Sequence, residues 1–236
     1  MPPEKSTPAA AELIWLRPER TGRGPRPAHS RASIAEAAVA LADAEGMAAV
    51  TMRRIAAELG AGTMSLYNYV PKKEQLLDLM LDAVCGEYRL PEQPSDDWRA
   101  DLRLLAHQQL DILRRHPWVV TLIRTRPSLG PNSLLYTEFF LGVLRDAELT
   151  GSQKMEALAM LSGFICQFAD WENATRAAAG SSAEWQRELV EYLTGVAMSG
   201  DYPQLAATLG AGSGPTDPAA SFDRLLDKVI TLLATP

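Results

Sequence analysis

Within Thr63–Asn68 the chain places two hydroxyls, a thioether, a phenol and a carboxamide, and Lys72 and Lys73 follow shortly after. These groups suit a DNA groove. Thr63 and Ser65 carry hydroxyls short enough to meet bases or phosphates, and Met64 suits a thymine methyl. Asn68 matches the adenine edge, and Tyr67 is placed to donate to a phosphate. Arg53 and Arg54 come early in the preceding apolar-periodic stretch, within reach of the DNA backbone or a nearby base. Lys72 and Lys73 stand where a helix begins, and free backbone amides there also favour phosphate.

The elements that position these groups are legible in the same stretch, TMRRIAAELGAGTMSLYNYVPKK. A helix starting at Thr51 buries Met52, Ile55, Ala56 and Leu59 and is broken by Gly60-Ala61-Gly62. A segment of about two turns follows to Tyr69, which is the outline of a helix-turn-helix. Ile55, Ala56, Leu59, Leu66 and Val70 hold the pair against a preceding helix, and the small Ala56 lets two helices cross closely. Packing then leaves Thr63, Met64, Ser65, Tyr67 and Asn68 outward. Two helices around a glycine turn also occur in ordinary all-α cores, where Tyr67 and Tyr69 would be packing residues. Shape alone leaves both readings open.

Upstream, residues 1–28 are rich in Pro, Gly, Arg and Ala without apolar periodicity and read as a flexible basic arm carrying Arg23 and Arg26. Ser30 or Ser33 caps a first helix, with Glu36 in capping-box spacing from Ser33. Ile34, Ala37, Ala38 and Leu41 form its apolar face and Gly46 its stop. Pro71 opens a fourth helix running to about Tyr88, with Leu76, Leu77, Met80, Leu81 and Val84 on one face. Beyond Pro91 and Pro94, helices are expected at about 96–115, 117–125, 132–148, 151–179, 182–198, 202–209 and 218–234. Period-two alternation is scarce, so the fold is all-α. The organisation expected is an arm at 1–28, a three-helix head at 29–75 and a larger helical body at 76–236, joined by the fourth helix.

Charge is distributed along the same division. Residues 1–73 hold ten Lys/Arg against seven Asp/Glu, whereas the remainder holds thirteen against twenty-two, so the overall charge of −6 hides a basic N-terminal part. That asymmetry suits a head that meets a polyanion and a body that does not. Catalytic signatures are missing: there is no GxSxG elbow, HExxH pair, Walker loop or dinucleotide fingerprint. The glycines at 210–214 lack a following Lys-Ser/Thr and read as a linker. His29, His107 and His116 show no metal spacing, and neither metal nor cofactor is expected. His116, before Pro117, reads as a helix C-terminal cap. Cys85 and Cys166 fit two inert, buried thiols in a reducing cytosol, with one disulfide still compatible. No secretion signal or membrane span is evident, so a cytoplasmic protein is expected.

Residues 30–84 closely resemble the N-terminal domain of the tetracycline-repressor family. The resemblance rests on ALADAEGMAAVTMRRIAAELGAGTMSLYNYVPKKEQLLDLM, where helix lengths, the turn glycine, Leu66-Tyr67 and the Lys after Val-Pro fall in register. Trp98, Arg115-His116-Pro117, Thr125-Arg126-Pro127, Gly163-Phe164 and Phe222-Asp223-Arg224-Leu225-Leu226 are similar to that family's C-terminal domain. The resemblance implies a ligand-responsive repressor acting on double-stranded, palindromic operator DNA as a homodimer. It implies recognition contacts by Thr63, Met64, Ser65, Tyr67 and Asn68, a backbone or base contact by Arg53, and a phosphate contact by Lys73. It places the dimer interface on the helices near 151–179 and 218–234. The arm around Arg23 and Arg26 looks like a basic extension that reaches the minor groove or backbone, and a solubility tail is an equal reading.

A small-molecule inducer is implied among the body helices, in a mixed apolar cavity with a few polar groups. Its candidate contacts are His107, Gln108, Asp111, Tyr136, Phe139, Phe140, Phe164, Gln167, Phe168, Trp171 and Glu172. Each of these also fits a core or dimer-interface role. One departure stands out: family members that hold a tetracycline–magnesium chelate use a histidine shortly before Thr-Arg-Pro, and Leu122-Ile123-Arg124-Thr125 has none. Glu172 matches a carboxylate of that site, but its partner is missing, so a different hydrophobic drug or metabolite is expected. The competing classes are a helical ligand-binding protein without operator specificity and, last, an enzyme.

Overall fold

The computed structural model describes residues 13–18, 29–180, 182–210 and 217–233, and every regular element among them is helical. The helices are α1 (Arg31–Glu45), α2 (Met52–Glu58), α3 (Thr63–Tyr67), α4 (Lys73–Cys85), α5 (Trp98–Arg115), α6 (Val119–Ile123), α7 (Pro131–Val143), α8 (Gly151–Ala179), α9 (Ala183–Met198), α10 (Pro203–Gly210) and α11 (Pro218–Leu233). Short 3-10 turns occupy Ile14–Leu16 and Met47–Ala49. The chain divides into two compact units at 158/159, within α8.

In the first unit, α1 begins at a reciprocal cap. The Ser30 hydroxyl accepts from the Ser33 amide and the Ser33 hydroxyl accepts from the Ser30 amide, each at 3.0 Å, so Ser33 fills the role expected of a glutamate. Such a cap is worth about 1 kcal/mol. The helix buries Ile34, Ala35, Ala38, Leu41 and Ala42 and stops at Gly46, whose φ of 81° a side chain rarely tolerates. Four elements pack on α4: α1, α6, α7 and the Ile14–Leu16 turn. Their core includes Ile34, Leu76, Met80, Leu81 and Val84, and each such side chain stabilises by about 1.5–3 kcal/mol when withdrawn from water.

Helix α4 starts at Lys73, two residues after Pro71, because Lys72 is still extended (φ −128°, ψ 148°). It ends at Cys85, and single turns carry the chain through Glu87 and Tyr88. Helix α7 stops at Val143 rather than 148, since Leu144 leaves helical geometry and Arg145 and Ala147 make i→i−3 bonds instead.

Its start is unusual. Gly130 offers no capping side chain, and the cap comes from α4 instead. The buried Asp82 carboxylate accepts from the Ser133 amide at 3.0 Å, the Ser133 hydroxyl at 3.2 Å and Asn132 Nδ2 at 3.3 Å. A Cβ at residue 130 would overlap the Asp82 carboxyl group, so glycine is what lets the carboxylate reach the helix end. An anion at that end also gains from the helix dipole.

In the second unit, Phe164 and Phe168 of α8 meet Phe222 of α11, with ring centroids 5.6 and 5.0 Å apart. Helix α11 buries Phe222, Leu226, Ile230 and Leu233 on one face, while Leu225 and Leu232 remain exposed. Helix α9 buries no residue and contacts α10. Among the described residues no helix is long and apolar enough to cross a membrane.

Candidate nucleic-acid interface

Helix α2 starts on Thr51, whose hydroxyl accepts from the Arg54 amide at 3.3 Å. It is closed past its Leu59 C-cap by Gly60 (φ 62°), where Gly60 N donates to the Ala57 carbonyl and Ala61 N to the Ala56 carbonyl at 2.8 Å. That pair of bonds is a left-handed glycine cap, and it turns the chain sharply into α3. Ala56 is buried where α2 crosses its neighbours, as its size requires. The stubby α3 is too short to stand alone and is held by packing. Leu66 is wholly enclosed, and Val70, whose amide donates to the Leu66 carbonyl at 2.9 Å, is enclosed as well.

With Leu66 inward, the expected readers point outward. Met64 is 78% exposed and Tyr67 41%, Ser65 and Asn68 are exposed, and Thr63 is half-buried at the start of the helix. A methionine so exposed lies idle in a lone chain, where burial would gain about 0.8 kcal/mol per methylene. Arg53, Lys72 and Lys73 are exposed as well, and none forms an ion pair among the described residues. Arg54 differs from the expectation. Its guanidinium pairs with Glu45 at 2.5 Å and Glu58 at 3.8 Å, so it braces α2 against the end of α1. Arg23 and Arg26 lie outside the described residues.

One positioning group was not anticipated. Arg31, at the first turn of α1, donates to the carbonyls of Ile14 at 3.1 Å, Arg17 at 2.8 Å and Tyr69 at 3.4 Å. It ties the turn before α1 to Tyr69, two residues past α3, with Ile14 fully buried. Within the expected arm, residues 13–17 therefore carry local structure. A cation at a helix N-terminus opposes the dipole, and that mismatch was the available signal that Arg31 is held by other carbonyls.

The candidate ligand contacts fall apart into several environments. In the first unit, Tyr136, Phe139 and Phe140 are buried on α7, and the Tyr136 ring lies 4.4 Å from that of Tyr88. Gln108 and Asp111 line an open cleft of about 880 Å³ between the end of α4 and α5, with Tyr88, Leu104, Ile112 and Arg115. The Gln108 amide is already engaged: Oε1 accepts from Arg89 N at 2.6 Å and Nε2 donates to Arg89 O at 3.3 Å. Asp111 pairs with Arg114 at 3.3 Å, and His107 faces outward. In the second unit, Phe168 and Glu172 are buried, Phe164 half-buried, and Gln167 and Trp171 exposed.

No group of three or more His, Cys, Asp or Glu able to hold a metal exists among the described residues. Both cysteines are free. Burial pushes the Cys85 thiol up from its ordinary value, and hydrogen bonds with Ser133 and Ser128 offset this only in part. His116 does occupy the C-cap of α5, but its ring does more than cap. Nδ1 lies 2.8 and 2.9 Å from the two Asp43 carboxylate oxygens, and Nε2 lies 3.0 Å from Glu87 Oε1.

Comparison with known proteins gives this geometry its context. Residues 34–80 match the model for bacterial regulatory proteins of the tetR family, and residues 90–235 match the tetracyclin repressor-like C-terminal domain. The chain is 40% identical over 233 residues to the HTH-type transcriptional repressor DrrR1 of Streptomyces coeruleorubidus, covering 94% of this chain and 85% of that protein. It is 36% identical over 215 residues to an HTH-type transcriptional regulator of Saccharopolyspora erythraea, covering 91% and 88%. Among solved structures, ActR of Streptomyces coelicolor in complex with actinorhodin superposes with a TM-score of 0.73 at 27% identity, covering 87% of this chain and 96% of that one. Apo ActR gives 0.72 at 25% identity, with 89% and 96% covered.

Proposed function

Since the chain belongs to the tetracycline-repressor family of bacterial transcriptional regulators, we propose that it represses transcription by holding a palindromic operator as a homodimer and lets go when a small hydrophobic or amphipathic inducer binds its helical body. The observation that carries the reading is α3. It is anchored by one enclosed leucine and shows the solvent a methionine, a serine and a tyrosine, with an asparagine at its C-cap, beside exposed Lys72 and Lys73. The proposed division of labour gives Thr63, Met64, Ser65 and Asn68 the base edges. Tyr67, Lys72 and Lys73 take phosphates, and Arg53 takes the backbone or an adjacent base.

Dimerisation is assigned to α8 and α11, where Met160, Trp171, Leu225 and Leu232 form exposed apolar surface that a lone protomer leaves in water. The inducer site is assigned to the body at the cleft lined by Tyr88, Gln108 and Asp111, where Tyr88 packs on Tyr136 of α7, the helix that also carries buried Phe139 and Phe140. The solved ActR–actinorhodin complex supports a ligand of this kind. An inducer acts only through its differential affinity for the DNA-incompetent arrangement, and couplings of about 1–3 kcal/mol weaken operator binding roughly 5- to 150-fold.

The test is fluorescence anisotropy with the DNA upstream of the chain's own gene. Tight binding to a palindrome is expected, with log affinity falling steeply against log salt. Lys73→Ala should weaken all sequences alike and lower the salt slope by about one, whereas Asn68→Ala should change base preference by about 1–3 kcal/mol at one position. Equal affinity for random DNA removes the operator reading.

A further inference from the structure

A polar junction outside the reading helix gathers around His116. Asp43, near the end of α1, receives the Nδ1 side of His116 at 2.8 and 2.9 Å. The same carboxylate accepts from Trp118 Nε1 at 2.7 Å. On the other side of the imidazole, Nε2 lies 3.0 Å from Glu87, just beyond α4. Arg115 donates to the second oxygen of Glu87. The His116 ring is buried, and the Trp118 indole stands edge-on to it with centroids 6.0 Å apart. A buried imidazole with a carboxylate at each nitrogen has both ring positions occupied, so the junction has one geometry and little slack.

The placement of its members is what matters. Asp43 belongs to α1, on which the helix-turn-helix packs, Glu87 to the turn just beyond the linking helix α4, and His116 and Trp118 to the joint between α5 and α6. Three elements meet at one ring. Glu87 and Arg115 also form part of the wall of the 880 Å³ cleft.

We propose that His116 is the positioning residue that fixes the DNA-reading head at one angle to the linking helix, with Asp43, Glu87 and Trp118 as its clasp. This rests on the operator reading above. The clasp touches no DNA and reads no base. It sets where α3 sits relative to the rest of the protomer, and hence the separation of two recognition helices in a dimer. A molecule in the cleft that draws Glu87 or Arg115 toward itself loosens the clasp, which gives the body a direct hold on the head.

A residue that merely stabilises the fold lowers affinity for every site alike, whereas a positioning residue sets the spacing that is preferred. The experiment therefore measures the full-length chain on its operator and on the same operator with two base pairs inserted at the centre. The insertion turns one half-site about 70° around the duplex, taking 10–10.5 base pairs per turn. Wild type is expected to lose on the order of 100-fold in affinity, as one half-site falls out of register. His116→Ala, and the milder Trp118→Phe and Glu87→Gln, should weaken the native spacing and shrink that loss to about tenfold or less. Variants that stay folded by circular dichroism yet keep the wild-type spacing penalty overturn the proposal.

A second measurement needs no DNA. Spin labels at Ser65→Cys and Glu138→Cys in the full chain, diluted with unlabelled protein, report the distance between α3 and α7. Cys166 is buried, and Cys85, half-buried with its thiol pKa raised, is replaced as Cys85→Ser in the labelled background. The distance distribution should broaden in His116→Ala and in Trp118→Phe. An unchanged distribution overturns the clasp even if wild type proves to bind no operator, so the two readings fail separately.

Discussion

Gly130→Ala is a substitution whose effect the local geometry turns against the usual rule. Gly130 has φ −78° and ψ 168°, a conformation open to any residue. An alanine in such a place ordinarily stabilises by about 0.4–1 kcal/mol, because it restricts the unfolded chain. Here the added methyl would occupy the space of the Asp82 carboxyl group. The carboxylate must withdraw, and with it go the bonds to Ser133 N, Ser133 Oγ and Asn132 Nδ2. Losing the cap alone is worth about 1 kcal/mol, and the charge–dipole contact up to about 2 more in a buried setting. A buried carboxylate stripped of partners adds to this, so a net loss of about 3–5 kcal/mol is expected.

Three comparisons isolate the cause. Asp82→Asn keeps the shape and an acceptor but loses the charge, and should cost about 1–2 kcal/mol. Asp82→Ala leaves the Ser133 amide without its acceptor, about 1–3 kcal/mol, but empties the space at residue 130. Gly130→Ala added to Asp82→Ala should then be neutral or mildly stabilising, a coupling of about 3 kcal/mol or more between two residues in contact. The assay is urea unfolding followed by circular dichroism at one fixed protomer concentration, because a dimer's stability depends on it. In thermal terms Gly130→Ala should lower Tm by roughly 6–20 °C for a chain of this size. A Gly130→Ala protein as stable as wild type, or effects that simply add in the double variant, would refute the account of how α4 holds α7.

Other expectations are simpler to state. Leu66→Ala should destabilise by about 2–5 kcal/mol in urea unfolding, since the side chain is wholly enclosed; it should also weaken operator binding more than Met64→Ala does at equal protein concentration. Cys85 should react with a disulfide reagent at pH 8 about tenfold or more below a free cysteine, with its rate climbing only as pH passes the ordinary thiol range. Burial favours the neutral thiol, so raising pH is what exposes the nucleophile; a rate equal to that of free cysteine at pH 8 would contradict this. Leu225→Glu with Leu232→Glu should convert the dimer to single chains in sedimentation velocity, because each places a charge on the apolar strip of α11 proposed to meet its partner.

What could be read in advance divides by the range of the interactions involved. The two-helix unit was legible because its determinants are local: apolar spacing through Ile55, Ala56 and Leu66, a glycine that accepts φ 62°, and polar groups on the side that Leu66 leaves free. Helix α8 was placed correctly at both ends for the same reason, with Gly151 opening a long unbroken run. Boundaries slipped where the cue was a proline whose neighbours had not yet turned helical, as at Pro71, and at Leu144, where the chain changes to shorter i→i−3 bonds. The cross-chain polar contacts were invisible in a different way. Nothing about the spacing of Asp82, or of Asp43, Glu87 and His116, announces a partner some 30 to 75 positions away.

Yet the Asp82 contact, and that of Arg31, left traces in the residues around them. A helix opened by Gly-Pro, with no Ser, Thr, Asp or Asn at its cap, has amides that must be satisfied from elsewhere, and the acidic residue set among the apolar side chains of α4 is the natural acceptor for them. An arginine at the first turn of α1 stands against the dipole and must find carbonyls to justify its position. Both anomalies are failures of local consistency, and each marks a place where a neighbouring element completes the structure. The first of those places joins α4 to α7, and among the described residues α4 also packs against α1, α6 and the Ile14–Leu16 turn that Arg31 holds. The side chains that hold α4 against its neighbours are thus among those whose local sequence makes least sense by itself.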